Sequence, residues 1–200
     1  MLIFRDILMF LFAYLGIKRA GCVCKVQPDK FFYDPMEKRL EVDIYGGKDT
    51  KKKGKRFFIA VEQPTIDLLS IFKAYKGFIL DLYARGQLTE DGYGKKFFVT
   101  CTPKTLEWND TRMSTPIYIR VLRDRMKEYF NETNTTFSEE EINNILKKYA
   151  SHSMRRGGAS AAKKKWSNIR RGHGTWGWDR EKTKNHYVDN SIAGVQAYKK

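Results

Sequence analysis

Apolar and polar positions along this chain follow two rhythms. Residues 3–17 are apolar nearly all round, which predicts a buried helix. Leu40, Val42 and Ile44 alternate with Glu41, Asp43 and Tyr45, the period of two expected of a half-buried strand. Arg56 to Val61 (RFFIAV) predicts a second strand, and the Gly- and Lys-rich stretch between the two predicts a hairpin loop. Pro64 and Thr65 then open a helix to about Arg85, with Ile66, Leu69, Phe72, Ile79 and Leu82 on one face. Gly86 stops it.

Residues 86–113 are broken by Gly, Thr and Pro, with one short strand predicted at Phe97–Thr100. Thr115 caps and Pro116 starts a helix reaching about Phe130. Ser138 with Glu141 forms a capping box for a helix carrying Ile142, Ile145, Leu146 and Tyr149. Helices around 152–165 and 179–188, separated by a glycine-broken turn at 172–177, complete the pattern. Neither a repeat nor a long linker divides the chain. The expectation is one domain over residues 1–200, mainly α with a small antiparallel β-sheet (α+β).

Charge narrows the function. The 200 residues carry 38 Lys and Arg against 23 Asp and Glu, a formal net charge of +15. The surplus is concentrated: Lys48–Arg56 holds six basic residues and one acidic, and residues 151–200 hold twelve against three. A solubilising surface spreads its charge, whereas a surface for a polyanion gathers it. The expected partner is a nucleic acid, DNA or RNA, with an anionic membrane as the other candidate. The longest apolar run, Ile7 to Ile17, has 11 residues, short of the roughly 18 that a span needs. It also lacks the basic leader and cleavage site of a signal peptide. Cys22, Cys24 and Cys101 suit neither a disulfide framework nor a four-ligand zinc site. They read as reduced thiols of an intracellular protein, in the nucleus or cytoplasm with DNA.

The most specific stretch is Ser151-His152-Ser153-Met154-Arg155-Arg156-Gly157-Gly158-Ala159. His152 and Arg155 are three apart, so on a helix they project from one face and can meet one phosphate. Arginine suits that role because its planar fork donates two parallel hydrogen bonds and keeps its charge.

This stretch resembles the His-x-x-Arg box of the tyrosine recombinase (phage integrase) family, which expects a His or Trp and then a nucleophilic Tyr at set intervals. Trp178 lies 26 residues after His152 and Tyr187 lies 35 after it, both where that pattern puts them. Gly177-Trp178 resembles the Cre-like branch, which carries Trp where most members carry His. The family's first arginine follows an apolar helix, and Arg19 is the match here, with Cys22 standing where an acidic residue is usual. Its lysine sits on the β-hairpin loop; Lys48, opening Lys48-Asp49-Thr50, is preferred and Lys51 is second.

The resemblance implies a catalytic set of Arg19, Lys48, His152, Arg155, Trp178 and Tyr187. Further DNA contacts are expected from Lys51, Lys52, Lys53, Arg156, Lys163 and Lys164. Attack on a phosphodiester builds negative charge that fixed positive donors stabilise, so no metal or other cofactor is expected. The implied function is DNA strand cleavage and rejoining through a 3′-phosphotyrosyl intermediate, in site-specific recombination or integration of a mobile element. Double-stranded DNA as the partner, self-association into a tetramer on it, and no membrane partner are expected with it. Only 18 residues precede Arg19, so the family's N-terminal DNA-clamping domain is expected to be absent. Two rival expectations are a type IB topoisomerase-like relaxing activity and a non-catalytic DNA-binding module derived from a recombinase.

Overall fold

The computed structural model describes residues 1–44, 55–63, 65–102, 104–133 and 136–166. In chain order the helices are α1 (Leu2–Leu15), α2 (Ala20–Val23), α3 (Leu68–Ala84), α4 (Thr115–Glu132), α5 (Glu139–Lys147) and α6 (Ser153–Trp166). The strands are β1 (Phe31–Asp34), β2 (Arg39–Ile44), β3 (Lys55–Ala60), β4 (Glu62–Gln63), β5 (Ile66–Asp67), β6 (Val99–Thr102) and β7 (Glu107–Arg112). About half of the described residues are helical, and all the sheets are small and antiparallel. The α+β expectation holds. Among the described residues no helix is long and apolar enough to cross a membrane.

Strands β1, β2 and β3 form one sheet in that order. Leu40, Val42 and Ile44 of β2 point inward, as their alternation predicts, and are joined by Phe31, Phe57 and Ile59. The outer face is closed by charge. Arg56 bonds Asp43 and Glu41, each at 2.8 Å. Phe12 of α1 sits at the centre of the core, its ring 5.6 to 6.4 Å from those of Phe31, Phe72, Phe97 and Phe98. Burying rings of this size contributes about 2–3 kcal/mol each. Helix α1 is therefore the axis around which the sheet, α3 and the 97–98 segment assemble.

Helix α1 departs from the all-round burial expected of it. Ile3 is 62% exposed, while Arg5 and Asp6 are each only 3% exposed. Those two charges are buried because they pair with each other at 2.6 Å, because Arg5 also donates to the Val99 carbonyl, and because Arg125 of α4 reaches Asp6 at 2.9 Å. A buried charge survives only with such partners.

Three boundaries differ from the sequence-based expectation. Helix α3 starts at Leu68 rather than at Pro64 and Thr65, because Ile66–Asp67 pairs with Glu62–Gln63 and the Asp67 carboxylate accepts the Ser70 N–H at 3.0 Å. Leu68 and Tyr75 thereby join Phe72, Ile79 and Leu82 on the buried face. Gly86 ends the helix as expected: at φ +69° it lets its own N–H reach Tyr83 and that of Gln87 reach Leu82. The single strand expected at Phe97–Thr100 is instead a hairpin, β6 with β7, whose second strand is polar. Helix α4 is capped by Ser114 rather than Thr115, with Pro116 in its first turn. The Ser138–Glu141 capping box forms as expected.

Candidate active site

The chain turns sharply after α1. A Cβ at Gly16 would lie 2.6 Å from the Phe12 carbonyl oxygen and 2.7 Å from the Phe57 ring, so only glycine lets β3 pack at this helix end. Arg19 then caps α2, its carbonyl accepting the N–H groups of Cys22 at 2.9 Å and Val23 at 3.2 Å. Its side chain is thus anchored by a fixed backbone just beyond the α1 terminus.

Helix α6 approaches the same point from the other end of the chain. The Ala20 N–H donates to the Ser151 carbonyl at 3.3 Å, tying the residue after Arg19 to the residue before His152. The start of α6 is closed locally. Ser153 Oγ accepts the Ala150 N–H at 2.8 Å, and the His152 carbonyl accepts the Arg156 N–H at 2.9 Å. Farther along, α6 lies directly on α1: a Cβ at Gly158 would fall 1.9 Å from the Tyr14 carbonyl oxygen, and one at Gly157 would fall 3.2 Å from the Tyr14 ring. Real side chains do not tolerate the first distance. Two glycines inside a helix cost about 1 kcal/mol each relative to alanine, and here they permit close helix contact.

The result brings Arg19, His152 and Arg155 into one electrostatic neighbourhood. Burial, and then the guanidinium groups of Arg19, Arg155 and Arg156, hold His152 below the ordinary imidazole value. The ring is therefore neutral at physiological pH. Its Nδ1 lies 3.1 Å from Ser151 Oγ. Arg19 Nε is buried and has no hydrogen-bond partner among the described residues. Half-buried guanidinium groups beside a neutral imidazole are the donor set that a candidate anion site would use. Arg156, the next residue, is exposed.

Lys48, Lys51, Lys52, Lys53, Trp178 and Tyr187 lie outside the described residues. Lys163 and Lys164 fall within α6, with their side chains outside the described part. The sequence reading missed the role of Gly157 and Gly158. Their signal was legible, since consecutive glycines inside a helix mark a close approach. Two grooves, of about 760 and 710 Å³, open beside β4–β5 and between α1, β6–β7 and α4. Neither is lined by Arg19, His152 or Arg155.

No protein-family model and no curated protein matches the chain. Solved structures do. XerH site-specific recombinase, bound to palindromic difH substrate in a post-cleavage complex, matches with a TM-score of 0.57 at 12% identity, over 98% of this chain and 45% of that one. Its pre-cleavage complex with difH substrate matches with 0.57 at 13% identity, over 98% and 46%. The Tn1549 transposon integrase in complex with circular intermediate DNA matches with 0.51 at 11% identity, over 96% and 57%. The chain spans about half the length of these solved chains. Its fold is that shared by the site-specific recombinase and transposon integrase structures.

Proposed function

We propose that this chain is a tyrosine recombinase catalytic domain of the Cre-like Trp type, cutting and rejoining DNA through a phosphotyrosyl intermediate. The observation that carries the reading is the Ala20–Ser151 hydrogen bond, which joins the segment bearing Arg19 to the segment bearing His152 and Arg155. The fold shared with two DNA-rearranging enzymes supports it.

In this reading Arg19 and Arg155 clamp the non-bridging oxygens of the scissile phosphate and stabilise the charge that grows in the pentavalent state. Tyr187 Oη attacks phosphorus while its proton passes to neutral His152. The bond to the 5′ oxygen breaks as the new phosphotyrosyl bond forms, and the leaving oxygen takes its proton from Lys48. The Trp178 indole N–H adds a hydrogen bond to the phosphate. Attack by a 5′-hydroxyl reverses these steps and frees Tyr187, so the phosphodiester energy is conserved and no cofactor is consumed. Exchange between two duplexes on a tetramer, in recombination or integration of a mobile element, is the use proposed for this chemistry.

A nicked suicide duplex tests the reading, since loss of the short 5′ fragment traps the covalent intermediate. The expected result is a denaturant-resistant protein–DNA adduct, absent for Tyr187→Phe and reduced at least about 100-fold for Arg155→Ala. Affinity for intact duplex should fall steeply with salt, with a slope of about one per phosphate neutralised. Normal duplex binding with no adduct would favour a binding module instead.

A further inference from the structure

Arg123, on α4, is drawn into neither the anion site nor the core, yet its guanidinium has a defined task. Nε donates to the Tyr149 carbonyl at 3.0 Å, and Nη2 donates to the same carbonyl at 2.8 Å and to the Lys147 carbonyl at 3.2 Å. The Lys147 carbonyl closes α5, where a helix presents unsatisfied acceptors and the negative end of its dipole, and Tyr149 follows the C-cap Lys148. The planar fork spans both carbonyls, which a lysine ammonium cannot do with fixed orientation.

The position of this clamp gives it a consequence beyond capping. Tyr149 is followed by Ala150, whose N–H is held by Ser153 Oγ, then by Ser151, whose carbonyl holds Ala20, then by His152. Three consecutive tethers therefore run from α4 through Tyr149 to the Arg19 segment, and His152 sits at their end. Arg123 fixes where the α5–α6 connection begins. The Ala20–Ser151 bond fixes where it ends.

We propose that Arg123 is a positioning residue for the strand-transfer site, setting His152 and Arg155 relative to Arg19 through the Tyr149 carbonyl. This rests on the strand-transfer reading for its catalytic consequence, but its structural half can be read without any reaction.

The experiment uses the full chain with Arg123→Ala and Arg123→Lys. The ring signals of His152 are followed by NMR against pH without DNA, together with duplex affinity and the rate of adduct formation on the suicide duplex. The charged groups facing the ring are Arg19, Arg155 and Arg156. With Arg123→Ala, the His152 midpoint is expected to rise toward the ordinary imidazole value near 6.5 as the ring loses its burial and then its guanidinium neighbours. The adduct rate is expected to fall about 10- to 100-fold, with duplex affinity changed less than about threefold. Arg123→Lys is expected to recover part of both effects.

If Arg123→Ala does not fold, Arg123→Lys and Arg123→Gln are read in the same way. An unchanged His152 midpoint in a folded variant overturns the proposal, whatever the enzyme does. A shifted midpoint with an unchanged adduct rate overturns its catalytic half. If the unmodified chain forms no adduct, the strand-transfer reading fails, and the His152 titration still decides whether Arg123 positions that ring.

Discussion

Gly158 lies so close to Tyr14 that a methyl group on its Cα would fall 1.9 Å from the Tyr14 carbonyl oxygen. This contact brings the helix that carries His152 and Arg155 against the helix that leads to Arg19. It involves backbone on the Tyr14 side, so no side-chain movement can relieve it.

Gly158→Ala is therefore expected to destabilise the fold by about 1–3 kcal/mol, the usual cost of overpacking. Gly157→Ala is expected to behave differently. Its methyl would meet the Tyr14 ring at 3.2 Å, which can shift, and alanine recovers about 1 kcal/mol of helix propensity. Urea unfolding of the two variants checks the pair. Equal effects would mean that α6 does not rest on α1 at Gly158.

His152 gives a pH signature. Its imidazole is held below the ordinary value by burial first and by Arg19, Arg155 and Arg156 next. The unfolded chain therefore takes up a proton at this position before the folded chain does. Its contribution to stability is complete above the ordinary imidazole value and declines as pH falls toward the depressed one. An NMR titration of the free protein should place the midpoint below about 6.5. Arg19→Ala should raise the midpoint, and so should a short duplex, because an anion beside the ring favours its charged form.

Arg112 and Asp91 anchor the 91–95 loop. Arg112 bonds both Asp91 oxygens at 2.7 and 2.9 Å and the Gly94 carbonyl at 2.8 Å. The hydrogen bonds from Arg112 hold the Asp91 carboxyl below the usual carboxylate range. This contribution is fully present above the ordinary carboxylate value and is lost as pH falls through the depressed one. Arg112→Met should cost about 2–3 kcal/mol at neutral pH, and the cost should shrink in acid. A pH series of urea midpoints checks both statements.

The cysteines should differ in reactivity. Burial pushes the Cys24 thiol up to about 12, whereas Cys22 is only partly buried. Alkylation with iodoacetamide near pH 8 proceeds through thiolate, so Cys22 should be labelled well before Cys24. Peptide mass spectrometry after short exposure reads the order directly.

Much of this fold is written locally. Leu40, Val42 and Ile44 announce β2 because one sheet face is buried, and Ser138 with Glu141 announces α5 because the capping box closes within four residues. Strand β7 is not legible, since Glu107, Asn109 and Asp110 show no apolar face. Pairing with β6 and the ion pair of Asp110 with buried Lys96 hold it in place. The burial of Arg5 and Asp6 has no local signal, because it depends on the Val99 carbonyl and on Arg125 far along the chain. The site divides in the same way. His152 and Arg155 are visible from their spacing, whereas Arg19 is reached only through resemblance, and its contact with the α6 segment is a long-range backbone bond. Arg123 carries no local signal, because its partners are main-chain carbonyls.

The central claim is covalent chemistry at one tyrosine, and mapping the attachment point tests it most directly. Incubation with a nicked suicide duplex, nuclease trimming and tryptic digestion should yield one nucleotide-bearing peptide, with the modification on Tyr187. The Arg19→Ala, His152→Ala and Arg155→Ala variants should reduce its yield while still binding duplex. Attachment to any other residue, or duplex binding with no attached nucleotide in the unmodified chain, would contradict the account.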